Sequence, residues 1–262
     1  MSKRFIFLVV IGIIVIVGAW WYFVYGTSIH TIKPLTSSSQ ITLKKATPES
    51  FNKAQYSLTD PNSIWVIVNK QHPIQPINFV PSDLVFPDVT LRVPGQTEMM
   101  MRSVAATALE QFFAGAAAAG YKLEISTAYR GYAYQQLLYD SYVATAGQAA
   151  ADFESARPGY SEHQTGLAVD IRTQSNQCGL EVCFGNLPDG KWLAANAYKY
   201  GFLLRYPADK VAITGYEYEP WHFRYIGTEL SQKMYKEHIE TLEEFFGVTG
   251  GTTYNKFHNH FG

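Results

Sequence analysis

Between Phe5 and Tyr25 the chain runs for 21 residues without a charge, a proline, an asparagine or a glutamine. No other feature limits the possible architecture as much. As a helix this run would measure roughly 31 Å at about 1.5 Å per residue, close to a hydrocarbon core of about 30 Å. Lys3 and Arg4 precede it, and the next charge is Lys33. The basic flank of a span stays in the cytoplasm. Residues 1–4 are therefore expected inside and residues 5–25 as one transmembrane anchor in the lipid bilayer of the cell membrane. The remaining chain is expected outside, extracellular or periplasmic. Trp20, Trp21 and Tyr22 stand near the outer end, where aromatic rings favour the interface. The rival reading is a cleaved signal peptide. Its apolar region is usually only about 7–15 residues, and Gly18-Ala19-Trp20-Trp21-Tyr22 offers no clear small-x-small cleavage site.

Composition must then be read in two parts. The whole chain of 262 residues carries 21 Lys+Arg against 22 Asp+Glu, a formal charge of −1. Taking away Lys3 and Arg4 leaves the exported part at −3. That balance excludes the basic excess of a nucleic-acid binder, so no nucleic-acid partner is expected. A hydrophobic share of 47% excludes a wholly disordered chain. Two cysteines are too few for a disulfide-stapled miniprotein or a Cys-rich zinc finger.

Residues 26–55, with Ser37-Ser38-Ser39 and scattered Thr, Lys and Pro, have no strong period and read as a linker. One domain is expected over 56–247 and a flexible tail over 248–262. Within the domain, Ser63–Asn69 reads as a short strand, and residues 71–97, with five prolines, as extended loop. Helices are expected over Glu98–Ala119, Tyr132–Ala146, Lys191–Tyr200 and Thr228–Phe246. The first should bury Val104, Ala108, Leu109, Phe112 and Phe113. Gly120, Gly147 and Gly201 are placed as C-terminal stops. Tyr121–Tyr129, Leu167–Ile171, Phe202–Tyr206 and Trp221–Ile226 read as extended or alternating segments. Helices and strands interleave irregularly and no Gly-rich phosphate loop appears, which favours an α+β fold over a nucleotide-binding one.

Two segments carry the chemistry. Ser161-Glu-His-Gln-Thr-Gly-Leu-Ala-Val-Asp170 and Glu219-Pro-Trp-His222 together supply two imidazoles, one carboxylate and a spare carboxylate. Hydrolytic zinc sites take three such ligands and leave a position open. Period 2 puts Leu167, Val169 and Ile171 on one face and Asp170 on the other; likewise Trp221, Phe223 and Tyr225 lie opposite His222 and Arg224. Gly166 marks positive φ or close backbone approach beside a ligand. Cys178 and Cys183 could in principle be metal ligands, but outside the membrane a local disulfide is expected. His258-x-His260 is read as part of the tail, and the aromatic share of 15% as core packing rather than a glycan groove.

These motifs make the chain resemble the VanY-type D-alanyl-D-alanine carboxypeptidases, zinc peptidases of the hedgehog/DD-peptidase fold. Leu204-Arg-Tyr-Pro207 and Glu219-Pro-Trp-His-Phe-Arg-Tyr225 also match, as do Val68-Asn-Lys70 with Pro73, Asp83-Leu-Val85, and Thr127-Ala-Tyr-Arg130 with Gln135. The resemblance covers roughly residues 60–246 and departs at Thr127 and Gly131, where the family commonly has Ser. It implies a single α+β domain with a mainly antiparallel sheet packed by helices. It implies Zn2+ on His163, Asp170 and His222, with Glu219 as general base and Arg130 on the scissile carbonyl or oxyanion. Ser161, Gln135 and Tyr129 are implied as substrate contacts. The implied substrate is the peptidoglycan stem peptide, losing its C-terminal D-Ala. An L,D-carboxypeptidase, an endopeptidase and a catalytically silent cell-wall-binding module remain as alternatives; an intact Glu219 argues against the last.

Overall fold

The computed structural model describes residues 51–255. The anchor expected at 5–25, the linker up to residue 50, and His258 and His260 lie outside the described residues. Among the described residues no helix is long and apolar enough to cross a membrane.

Six strands and seven α-helices organise the described residues. The strands are β1 (Leu84–Val85), β2 (Met101–Arg102), β3 (Leu123–Thr127), β4 (Ala168–Thr173), β5 (Phe202–Leu204) and β6 (His222–Tyr225). The helices are α1 (Ser103–Ala118), α2 (Tyr132–Ala146), α3 (Gln148–Glu154), α4 (Pro188–Asn196), α5 (Val211–Thr214), α6 (Thr228–Glu237) and α7 (Leu242–Phe246). β1 and β2 form a two-stranded ribbon. The other strands form one sheet in the order β3-β4-β6-β5, with every neighbouring pair antiparallel. The fold is thus α+β, as expected.

The alternation along β4 and β6 decides which residues meet the core. Leu167, Val169, Ile171, Phe223 and Tyr225 join the main apolar cluster with Leu109, Phe112 and Phe113 of α1. Phe112 is fully buried among the rings of Trp192, Tyr200, Phe202 and Phe223, with centroids 5.1 to 6.0 Å away. Burying one such ring is worth about 1.5–3 kcal/mol. A second cluster gathers Trp65, Ile67, Ile226, Leu230, Met234, Leu242 and Phe245. β3 is buried on both faces, because Glu124 on the face away from Leu123 and Ile125 is paired with Arg172 at 2.6 Å.

Several expected elements differ. Ser63–Asn69 is not a strand; it is a buried, irregular segment with one isolated bridge, Asn69 to His72. Its carbonyls are engaged elsewhere: Arg224 Nη2 donates to Ile64 O and Val66 O. The first helix begins at Ser103 rather than Glu98, because Met101 and Arg102 pair with β1. Val104 then falls on an outer turn and is 40% exposed. A helix at Gln148–Glu154 follows directly on Gly147, which ends α2 at φ 81°. The last helix is split in two, with His238 in left-handed conformation at the break. The packed domain is also wider than 56–247. Phe51 stacks on Trp65 at 5.6 Å, Gly251 N donates to Ile213 O, and Tyr254 Oη accepts from Arg157 N.

Candidate active site

The sheet register brings the site together. Asp170 on β4 pairs directly with His222 on β6, and Thr127 at the end of β3 lies opposite Asp170 on its other side. His163 comes from a 3-10 turn, Glu162–Thr165, just ahead of β4. Gly166 closes that turn with φ 67°; a Cβ there would come within 2.9 Å of Leu84 and 3.0 Å of Arg102, so both its conformation and its lack of a side chain are needed.

His163, Asp170 and His222 each offer one ligand atom, all within 4.8 Å of one another, and all three residues are buried. His163 Nε2 lies 3.3 Å from Asp170 Oδ2, and His222 Nδ1 lies 3.1 Å from Asp170 Oδ1 and 3.3 Å from Glu219 Oε2. His163 Nδ1 is hydrogen-bonded to Ala128 O, which leaves Nε2 free to face the site. Close as they lie to Asp170 Oδ2 and His222 Nδ1, the buried atoms His163 Nε2 and Asp170 Oδ1 have no partner in hydrogen-bond geometry. Buried polar atoms are rarely left so, which fits a donor set awaiting a cation. On the far side of its ring, His222 Nε2 faces Glu162 Oε2 at 3.8 Å.

The electrostatics point the same way. Burial and the nearby Arg130 guanidinium push the His163 imidazolium down to about 4, so this ring is neutral at ordinary pH. His222 is raised well above its usual value because Asp170, Glu162 and Glu219 outweigh its burial. The same carboxylates attract a metal cation, which must displace that proton from the ring to bind it. The carboxyl of Asp170 is held well below the usual range, with His163 and His222 outweighing burial. Glu219 is pushed up, chiefly by burial, with His222 opposing. Two imidazoles, a carboxylate and an adjacent raised carboxylate are the groups a hydrolytic zinc site uses.

A cavity of about 220 Å³ opens onto these groups, lined among others by Arg130, Ser161, Tyr206, Tyr216, Glu217 and Glu219. Arg130 reaches Asp170 Oδ2 at 3.5 Å from its Nη1. Ser161 lines the cavity, but Gln135 and Tyr129 do not. Gln135 is fully buried; its Oε1 accepts from Arg130 Nε at 3.0 Å and its Nε2 donates to Ala156 O at 2.8 Å. Its amide thus meets Arg130 and the segment after α3 rather than the cavity. Tyr129 lies beneath Gly131, where an added Cβ would come within 2.9 Å of its hydroxyl. Cys178 and Cys183 are joined in a disulfide.

Sequence reasoning missed a group of buried charges behind the candidate metal ligands. Glu162 Oε1 accepts from Arg205 Nε at 2.9 Å and from Arg224 Nη1 at 2.8 Å, and Arg205 also forks onto both oxygens of Glu243. Glu162 and Arg205 sit inside the motifs already singled out, but adjacency in sequence gave them no visible partner.

Residues 98–228 match the model of the VanY family, described as D-alanyl-D-alanine carboxypeptidase. A bifunctional D-Ala-D-Ala dipeptidase and carboxypeptidase, VanXYC of Enterococcus gallinarum, is 34% identical over 68% of this chain and 91% of its own. Among solved structures, the LdcB LD-carboxypeptidase superposes with a TM-score of 0.67 at 44% identity, covering 72% of this chain and 88% of that one. A mutant of the vancomycin-resistance D,D-pentapeptidase VanY, in complex with Zn(II), gives 0.57 at 34% identity, covering 69% and 97%. Motifs, register and relatives agree, and the chain belongs to the VanY family of D-alanyl-D-alanine carboxypeptidases.

Proposed function

We propose that this chain is a zinc-dependent D,D-carboxypeptidase that removes the C-terminal D-Ala from peptidoglycan stem peptides, held at the outer membrane face by residues 5–25. The observation that carries this reading is the convergence of His163, Asp170 and His222 beside Glu219, with His163 Nε2 and Asp170 Oδ1 left without hydrogen-bond partners. Zinc, when bound, polarises the scissile carbonyl and makes water nucleophilic near neutral pH. The protein supplies the rest. His163 and His222 present one ring nitrogen each, with His163 locked by Ala128 O. Glu219 accepts the proton of the attacking water and passes it to the departing amine. Its burial-raised affinity for protons suits that shuttle. Arg130, held by Gln135, faces the carbonyl oxygen as charge develops there. Ser161 lies where it can hydrogen-bond the substrate backbone. An uncharged, apolar run ending in Trp and Tyr supports the anchor, which would place the cleft next to the polymer.

Similarity to the LdcB LD-carboxypeptidase supports a second reading, removal of D-Ala from tetrapeptide stems. Mass spectrometry of pentapeptide and tetrapeptide stems, with zinc and with chelator, separates the two. Loss of one D-Ala from the pentapeptide alone, abolished by chelator, is expected. Cleavage of the tetrapeptide alone would contradict the D,D assignment, and cleavage insensitive to chelator would contradict the metal.

A further inference from the structure

Three non-glycine residues within five positions adopt positive φ: Asn176 at 56°, Cys178 at 51° and Leu180 at 51°. A bulky residue in this region is strained and persists only where its surroundings over-determine it, often at functional sites. Here the surroundings are explicit. Cys178 and Cys183 close the turn, with Cα atoms 5.6 Å apart. Arg172 Nη1 donates to Asn176 Oδ1 at 2.6 Å, and Phe184 anchors the far end in the main core. The turn also rests on the segment that carries Glu219. A Cβ on Gly185 would lie 2.4 Å from the Tyr218 hydroxyl and 3.1 Å from Pro220.

Leu180 gains nothing from this for the fold. It belongs to neither apolar cluster and stays 38% exposed. Its side chain instead lines the cavity that holds Arg130, Glu219 and His222. Leu138 and Tyr142 of α2 supply further apolar lining to the same cavity. An exposed leucine kept in a strained conformation at the mouth of a polar cleft is best explained by what enters the cleft.

We infer that Leu180 is a specificity-determining residue, the apolar wall against which the alanyl methyl groups of the substrate pack, and that the Cys178–Cys183 disulfide holds it in place. This rests on reading the cleft as a carboxypeptidase site. Substrate affinity then depends on the oxidised turn.

The test compares steady-state kinetics on a pentapeptide stem for the wild type, Leu180→Gly, the Cys178→Ser/Cys183→Ser pair and the three combined. Glycine tolerates the positive φ, so Leu180→Gly removes the side chain without adding strain. KM should rise about tenfold in Leu180→Gly, on the scale of small apolar contacts in a pocket, with kcat and zinc content unchanged. The Cys pair should raise KM similarly, and the combined variant should add nothing further. An unchanged KM in Leu180→Gly overturns the wall; additive effects overturn the disulfide's part in it. Failure of the wild type to release D-Ala would count against the carboxypeptidase reading instead. Pentapeptide affinity in the Glu219→Gln enzyme, with and without Leu180→Gly, then still decides on the wall: weaker binding supports it, equal binding overturns it.

Discussion

Gln135 divides its amide between two tasks: the oxygen holds Arg130 Nε, and the nitrogen ties α2 to Ala156 and Ser155. Gln135→Met keeps the bulk but frees the guanidinium. It should lower kcat by up to about a hundredfold, the scale seen when a reacting group is misplaced by about 1 Å, with zinc content unchanged. An unaltered kcat would show that Arg130 needs no holder. Lys70 offers a different test at this scale. It is almost wholly buried, with Nζ donating to Asp152 O and Gly215 O and lying 4.4 Å from the centre of the Tyr216 ring. Burial lowers its ammonium to about 8, with Asp152 opposing. The unfolded chain keeps this proton up to about pH 10.4, so the unfolded state binds more protons across that window and stability rises with pH through it. Compared with Lys70→Met, the wild type should gain about 1–2 kcal/mol between pH 7.5 and 9.5 in urea unfolding. A constant difference would contradict the shift. Residue types and spacing made the candidate ligands His163, Asp170 and His222, with Glu219 beside them, legible in the sequence. The bond from Arg130 to Gln135 was not, because spacing does not tell which neighbour a buried amide meets.

Element boundaries follow local chemistry that the sequence carries unevenly. Tyr132–Ala146 appears with its expected limits because Gly147 supplies a positive φ at its end. β4 and β6 were readable because alternation of apolar and functional residues has one solution when one face is buried. The break between α6 and α7 has a visible signature as well, Thr241-Leu-Glu-Glu244. Thr241 Oγ1 accepts from Glu244 N at 3.1 Å and bonds the Glu244 carboxylate at 2.8 Å, a capping box inside what amphipathic periodicity reads as one helix. Thr241→Ala should cost about 1 kcal/mol in denaturant unfolding, with no change in kcat. A loss below a few tenths would mean the cap contributes little. Ser63–Asn69 had the composition of a strand but no partner strand; Arg224, far along the chain, takes its carbonyls. Such a pairing leaves no periodic trace.

At the scale of the whole molecule, Glu162 couples the site to both ends of the domain. Through Arg224 it reaches the segment at Ile64–Val66, and through Arg205 and Glu243 it reaches α7. Two guanidinium groups face two carboxylates, so the charges balance inside the protein. Removing one charge leaves a buried guanidinium uncompensated. Glu162→Gln should therefore destabilise the domain by about 3–5 kcal/mol in urea unfolding and also weaken zinc binding through His222. A stability within 1 kcal/mol of wild type would contradict this account. The network joins residues 38 to 160 positions apart, which is why it could not be read from local pattern. The central claim, a metal site worked by Glu219, is tested most directly by Glu219→Gln, assayed together for bound zinc and for D-Ala released from a pentapeptide stem. The account predicts full zinc occupancy and a loss of kcat of at least about a hundredfold. Near-normal release of D-Ala with zinc bound would contradict it.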